Sequence, residues 1–223
     1  LVEGAKSVLE LVNSTYKVSQ IYATESFLSE NGKKLQMLAP LIVECSNKEL
    51  AAVSSLQKTD SVLAVVHIPN VTTLEIDPQK YYLALDRIRD PGNLGTIIRI
   101  ADWYGFDKIL CSADCADFYN PKVIQASMGS FTRVEAHYLS LENWLPKFKQ
   151  VYGAVLEGQY IHQAEFTGGG AILIGNESQG ISEDILPLLT HRLTVPSYGG
   201  AESLNAAVAT AVLCDNLRRI TGS

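Results

Sequence analysis

The feature that most narrows what this chain can fold into is a recurrence. Three times, a strand-sized apolar run ends directly in a polar or glycine-rich turn that leads toward a helical stretch. Residues 81–85 run into Asp86 and the Asp90-Pro-Gly92 turn, residues 171–174 into Gly175-Asn-Glu177, and residues 192–195 into Pro196-Ser-Tyr-Gly-Gly200. Further strand-like runs at 108–111, 132–137 and 151–156 alternate with helical patterns, which predicts a parallel sheet covered by helices on both faces. Sheets of that kind bind ligands beyond the carboxyl ends of their strands, so these three turns are where a site is sought.

Upstream, helix-like stretches at 4–11 and 47–53 mix with strand-like runs at 18–23, 41–44 and 61–67, the pattern of a small α/β unit. Residues 68–78, rich in proline, threonine and asparagine, interrupt the periodicity as a linker does. The boundary is therefore placed at residue 78, giving a unit of residues 1–78 and a larger α/β unit of residues 79–223. No repeat is visible.

With 47% hydrophobic and 19% charged residues the chain can bury a substantial core. Its longest apolar runs fall far short of the roughly 20 residues a membrane helix needs. Four irregularly spaced cysteines in a chain of this size suggest reduced thiols in a cytoplasm. Cys111 and Cys115 lack a second ligand pair and the four histidines are dispersed, so no metal site is expected and the two thiols read as core or loop residues. Net charge is −6, and both units carry more acid than base: 6 basic against 9 acidic side chains before residue 79, and 12 against 15 after it. Composition alone thus lacks the basic footprint that phosphate contacts usually leave.

The turns carry the chemistry. In the first, Asn93 is placed to cap a helix that runs on through Arg99. Taken alone, Asn93 reads equally as a plain cap and Arg99 as a surface arginine. In the second, Gly175 and Gly180 bracket Asn176 and Glu177; Ile181 stands where a phosphate loop needs lysine, which excludes a triphosphate site. A simple strand-to-helix turn is the competing reading there. In the third, Ser203 is the cap candidate, with Asn205 following in the first turn of a long helix whose small apolar face could equally serve packing between subunits.

In this order the three segments resemble the signature motifs of the SpoU/TrmH branch of the SPOUT methyltransferases: Asn93, Gly95, Ile97 and Arg99; then Gly175, Asn176, Glu177 and Gly180; then Pro196, Ser203, Leu204 and Asn205. The resemblance spans residues 81–220. More weakly, the opening Val2-Glu-Gly4 resembles the family's small substrate-binding domain; relatives commonly carry a basic lead-in there, so the expectation is that residues are missing before Leu1.

The resemblance implies an α/β fold with a SPOUT-type parallel sheet and a deep trefoil knot, preceded by a small α/β RNA-binding domain. It implies transfer of a methyl group from S-adenosylmethionine to a ribose 2′-hydroxyl of rRNA or tRNA, in a homodimer joined through the C-terminal domain. Gly175, Asn176, Gly180, Val195, Pro196, Ser203, Leu204 and Asn205 would hold the cofactor, and Asn93, Arg99, Glu177, Ser203 and Asn205 would serve catalysis. A guanidinium resists deprotonation, so orienting a phosphate and stabilising a developing alkoxide suit Arg99 better than acting as a literal base. Gln125 stands where many relatives carry a basic residue. Three alternatives remain open: methylation of another RNA position, a catalytically silent RNA-binding protein on the same fold, and a small-molecule-binding or structural α/β dimer.

Overall fold

A computed structural model describes residues 1–55, 61–70 and 73–222. Residues 71 and 72 of the expected linker lie outside that range. The first elements are β1 (Val2–Glu3), α1 (Ala5–Leu11), β2 (Val18–Ala23), α2 (Glu25–Asn31), β3 (Ile42–Glu44), α3 (Asn47–Val53) and β4 (Val62–Val66). They form a mixed four-stranded sheet of order β1-β4-β2-β3. The larger part consists of β5 (Tyr81–Leu85), α4 (Pro91–Trp103), β6 (Lys108–Cys111), α5 (Pro121–Ser127), β7 (Glu135–Tyr138), α6 (Leu141–Trp144), β8 (Val151–Tyr160), β9 (Gly170–Ile174), β10 (His191–Thr194) and α7 (Ala206–Thr221). Its six strands run in the order β10-β8-β9-β5-β6-β7, every neighbouring pair parallel. β5 and β9, the central pair, are buried along nearly their whole length, as parallel strands covered on both faces must be.

The sequence expectations hold for the strands and shift at several edges. Residues 130–132 form a short 3-10 turn, and the strand expected at 132–137 is confined to β7. The run expected to end at Leu156 continues to Tyr160 because β10 pairs with β8 twice. His191 and Arg192 align with Tyr152 and Gly153, whereas Leu193 and Thr194 align with Gln159 and Tyr160. Residues 154–158 therefore bulge out at the carboxyl end of the sheet. Gly158 permits this, because a β-carbon there would lie 2.5 Å from the Arg192 carbonyl oxygen. β1 and α2 had no anticipating pattern; α2 is capped by Thr24, whose hydroxyl accepts from the Phe27 amide at 3.3 Å.

Two helix starts differ from expectation. α4 begins at Pro91, with Asp90 as its cap: the Asp90 carboxylate accepts from the Asn93 amide at 2.8 Å. Proline favours the first helical position and biases the residue before it toward extended backbone, so the chain turns into helix earlier than an Asn93 cap would require. Likewise Asn205, not Ser203, caps α7, accepting from the Ala207 and Val208 amides at 3.0 and 3.3 Å.

The small sheet rests on the large one through a single continuous core. Tyr16 packs edge-on against Phe131, ring centroids 5.6 Å apart, and its hydroxyl reaches the Phe131 carbonyl at 3.3 Å. Beside this contact Arg133 clamps two elements at once, bonding Glu10 of α1 at 2.5 Å and Asp102 of α4 at 2.8 Å. Burial pushes the Asp102 carboxyl up, but Arg133, with the Ser130 hydroxyl, more than offsets it and holds the group below its usual value.

Gly95 explains why α4 lies where it does. A β-carbon there would stand 2.5 Å from both the Ala126 β-carbon and the Val123 carbonyl oxygen of α5, so the two helices meet backbone to backbone. Gly95→Ala is expected to destabilise the fold by about 1–3 kcal/mol through overpacking. Thermal unfolding checks this, and an unchanged Tm would mean that α4 and α5 can part without cost.

Candidate active site

The carboxyl ends of β5, β8, β9 and β10 bring the three turns together, and three side chains join them. Asn205, held by its capping bonds, has its carbonyl oxygen committed to the α7 amides, so only its amide hydrogens remain to give. They go to the Asn93 carbonyl oxygen at 2.8 Å. Asn93 must then turn its own amide outward, and it donates a short hydrogen bond to the Glu177 carboxylate. The polarity of the chain is fixed throughout: helix amides to Asn205, Asn205 to Asn93, Asn93 to Glu177. Capping by Asp90 is what releases the Asn93 side chain for this role.

Beneath the network the second turn closes on itself. Asn176 and Gly180 exchange backbone hydrogen bonds at 3.0 and 2.8 Å, and the Asn176 side-chain oxygen accepts from the Ser178 and Gln179 amides. Gly175 must be glycine, since a β-carbon would meet Gly180 and Ile181 backbone at 2.3 Å. Gly180 adopts φ 67°, a left-handed conformation that favours glycine. The space beside Gly180, Gly199 and Gly200 is open, so a flat ligand could approach their backbone closely.

Other predicted residues lie apart from the network. Arg99 is exposed and makes no hydrogen bond or ion pair to a described residue. Six residues beyond Asn93, it is rotated by roughly 240° around the helix axis. Ser203 is exposed and likewise without a hydrogen bond among the described residues, and Leu204 is half exposed. Val195 packs against the core and Pro196 is partly buried at the end of β10.

Sequence reasoning missed the floor of the site. Asp86, buried at the end of β5, accepts from both the Ser182 amide and hydroxyl at 2.7 and 2.8 Å, pinning the second turn. Arg87 follows with φ 56°, unusual for a residue bearing a β-carbon. Its amide donates to Ser112 at 2.9 Å and its carbonyl accepts from the Asn176 side chain at 3.0 Å. Cys115 sits under the same bend, accepting from the Ile88 amide at 3.3 Å. Both Cys111 and Cys115 are buried in the core, as expected of them, and the Cys111 side chain is the main cause drawing the Cys115 thiol down to about 7. The bulge at residues 154–158 also belongs here: Thr194 donates to the Leu156 carbonyl at 3.0 Å, and the Leu156 side chain is exposed. The position of Asp86 directly after an apolar strand, and of Gly158 after another, were the available signals. A cleft of about 600 Å³, lined by Lys80, Asp107, Phe166 and Arg218 among others, opens at the opposite, amino-terminal end of the strands and shares no residue with this site.

Comparison with known proteins converges on the same region. The model of the SpoU rRNA Methylase family matches residues 80–215. The 23S rRNA (guanosine(2553)-2′-O)-methyltransferase RlmP of Bacillus subtilis is 32% identical over 230 residues, covering 98% of this chain and 88% of the relative. The 23S rRNA (uridine(2479)-2′-O)-methyltransferase of Streptomyces viridochromogenes is 31% identical, covering 90% and 73%. Among solved structures, an AdoMet-bound rRNA methyltransferase from Sinorhizobium meliloti superimposes with a TM-score of 0.83 at 26% identity, covering 98% of this chain and 86% of that one.

The two asparagine roles separate by mutation. Asn205→Ala removes a cap and one link of the network and is expected to cost about 1–2 kcal/mol of stability. Ser203→Ala, at an exposed hydroxyl without a partner among the described residues, should stay within about 0.5 kcal/mol of the parent. Denaturant unfolding of both variants distinguishes them; the reverse ranking would restore Ser203 as the cap.

Proposed function

The chain belongs to the SpoU rRNA methylase family, and from that membership we propose that it transfers a methyl group from S-adenosylmethionine to a ribose 2′-hydroxyl of ribosomal RNA. The observation that carries the proposal is the Asn205–Asn93–Glu177 network, which joins all three motif turns at the carboxyl ends of the strands. The two relatives named for guanosine and uridine favour rRNA over tRNA and leave the base undetermined.

The residues present fit the cofactor. Open backbone at Gly180, Gly199 and Gly200 and exposed apolar side chains at Leu156 and Leu204 suit a flat heterocycle flanked by peptide groups. Gly175, Asn176, Gly180, Val195, Pro196, Ser203, Leu204 and Asn205 are the residues assigned to hold it. When bound, S-adenosylmethionine supplies the electrophilic methyl group.

The chain's own work is then positional. Asn93 and Asn205 keep the Glu177 carboxylate and the third turn in fixed relation, and Ser203 offers a hydroxyl at the edge of the same turn. Arg99, with no partner to release among the described residues, binds a phosphate of the target nucleotide and stabilises charge that develops on the 2′-oxygen. Residues 1–78 are assigned to RNA recognition and residues 79–223 to chemistry. The half-exposed Leu204 and Val208 flanking the start of α7 support a homodimer through the C-terminal domain. The trefoil threading implied by the family is part of the proposal, supported by the long β8 that pairs with β10 on both sides of its bulge. Four unpaired thiols support a reducing, cytoplasmic setting, and among the described residues no helix is long and apolar enough to cross a membrane.

Calorimetric titration with S-adenosylmethionine, paired with methyl transfer to protein-free 23S rRNA, tests this reading. Saturable binding by the parent protein is expected, weakened about tenfold by Asn205→Ala, the loss of roughly one well-made hydrogen bond. Arg99→Ala should retain binding and lose at least about a hundredfold in transfer rate. Absence of cofactor binding in the parent would leave the silent RNA-binding scaffold as the better reading.

A further inference from the structure

Among the described residues, Met128 and Arg87 are the non-glycine residues with left-handed backbone. Met128 closes α5, where helices commonly end in that conformation. Arg87 closes no helix; it lies in the loop between β5 and α4, at a bend that glycine would make without strain. The bonds that hold this bend, from its amide to Ser112 and from the Asn176 side chain to its carbonyl, use backbone atoms of Arg87 alone, so glycine would keep them too. What arginine adds against its backbone preference is a side chain. That side chain makes no hydrogen bond to a described residue. Its Nε is buried without one, 3.4 Å from one oxygen of the Asp86 carboxylate and out of line to bond it, while the other oxygen takes the Ser182 amide and hydroxyl. The side chain is 23% exposed, and its terminal nitrogens remain open to solvent.

Resting on the RNA methyltransferase reading, we infer that Arg87 binds a phosphate of the RNA strand beside the target nucleotide. Its place fits that task. The Asn176 side chain that grips the Arg87 carbonyl belongs to the turn that bears Glu177, so the guanidinium is anchored at the rim of the candidate site. A planar fork with open terminal nitrogens matches the oxygens of a phosphate, and a backbone fixed at both its amide and its carbonyl holds the base of that fork in one orientation. Arg89, two residues on, is 59% exposed and 3.8 Å from Asp114, itself 65% exposed, a pair weak enough to open for a second phosphate. In a chain of net charge −6, RNA affinity must come from local groups of this kind rather than from a general basic field. Phosphate contacts carry no sequence information, so Arg87 sets the register of the strand and leaves base identity to other contacts.

Arg87→Gly tests the inference, because it keeps the bend and removes only the guanidinium. With protein-free 23S rRNA, KM for RNA is expected to rise about tenfold, the loss of one charge-assisted contact, while S-adenosylmethionine affinity stays as in the parent and Tm stays at or above it. The slope of log RNA affinity against log salt should shrink by about 0.7, the share of one phosphate on a single strand. Arg87→Lys, which keeps the charge without the fork, should restore that slope and recover part of the KM. An unchanged KM and salt slope in Arg87→Gly, with the parent fully active, overturns this inference and leaves the methyltransferase reading standing. A loss confined to S-adenosylmethionine affinity also overturns it, since the anion served is then the cofactor's own carboxylate. So does a lowered Tm with the salt slope unchanged, which would make Arg87 the counter-ion of Asp86. A parent protein that neither binds S-adenosylmethionine nor methylates RNA overturns both readings.

Discussion

Two asparagine side chains and one carboxylate determine how the three turns sit against each other. An amide has one accepting and one donating end, and in the Asn205–Asn93–Glu177 series each end is used in the only order that satisfies the next. The series starts from the unpaired amides of α7 and finishes on an acceptor that cannot donate. Reversing any member would set donor against donor or acceptor against acceptor. Connections across 84 and 112 residues of chain are thereby given one geometry. An Asn-to-Asp change, although nearly isosteric, breaks this logic.

The network needs a floor that does not move, and the end of β5 provides it at a local cost. A non-glycine residue in left-handed backbone, here Arg87, costs about 1–2 kcal/mol. Hydrogen bonds from Asn176 to its carbonyl and from its amide to Ser112, at roughly 1 kcal/mol each, are enough to offset that. Asp86 adds two bonds to Ser182 from a buried carboxylate, the charge-assisted kind that is stronger than neutral pairs. The bend is therefore held from above by the second turn and from the side by the β6 loop, and Cys115 is one of its fixings.

Much of this was legible beforehand, and the failures share a cause. Long apolar runs such as β5, β6 and β9 were read to within a residue, because burial on both faces leaves an unbroken signal. The six-stranded α/β architecture followed from their alternation with helices. Helix starts were misplaced where two capping residues compete within three positions: Asp90 against Asn93, and Ser203 against Asn205. In both cases sequence offers two chemically adequate caps, and the choice depends on the backbone upstream or on a partner brought from elsewhere. The doubling back of β8 onto β10 could not be read at all, since it arises from the meeting of two strands separated by a long connection. Within the candidate site, Asn93, Glu177 and Asn205 were foreseen together with Arg99 and Ser203, but that these three would bond to one another in series and leave the other two outside was not. Asp86 and Arg87 were hidden because their importance lies in contacts to residues about 25 and 90 positions away.

The Arg133 clamp has a consequence for how this protein can change over evolutionary time. One guanidinium answers to Glu10 on the small sheet and to Asp102 on the helix that bears Arg99 and Trp103. Each carboxylate alone is a surface partner of modest worth, but the two share a single fixed fork, so neither can drift without reorienting the other. Positions 10, 102 and 133 should therefore vary as a set among related sequences, with charge lost or reversed at all three together. Gly129 joins that set, because the Glu10 side chain occupies the place where its β-carbon would be. The small sheet and the helix that bears Arg99 are thus inherited as one unit.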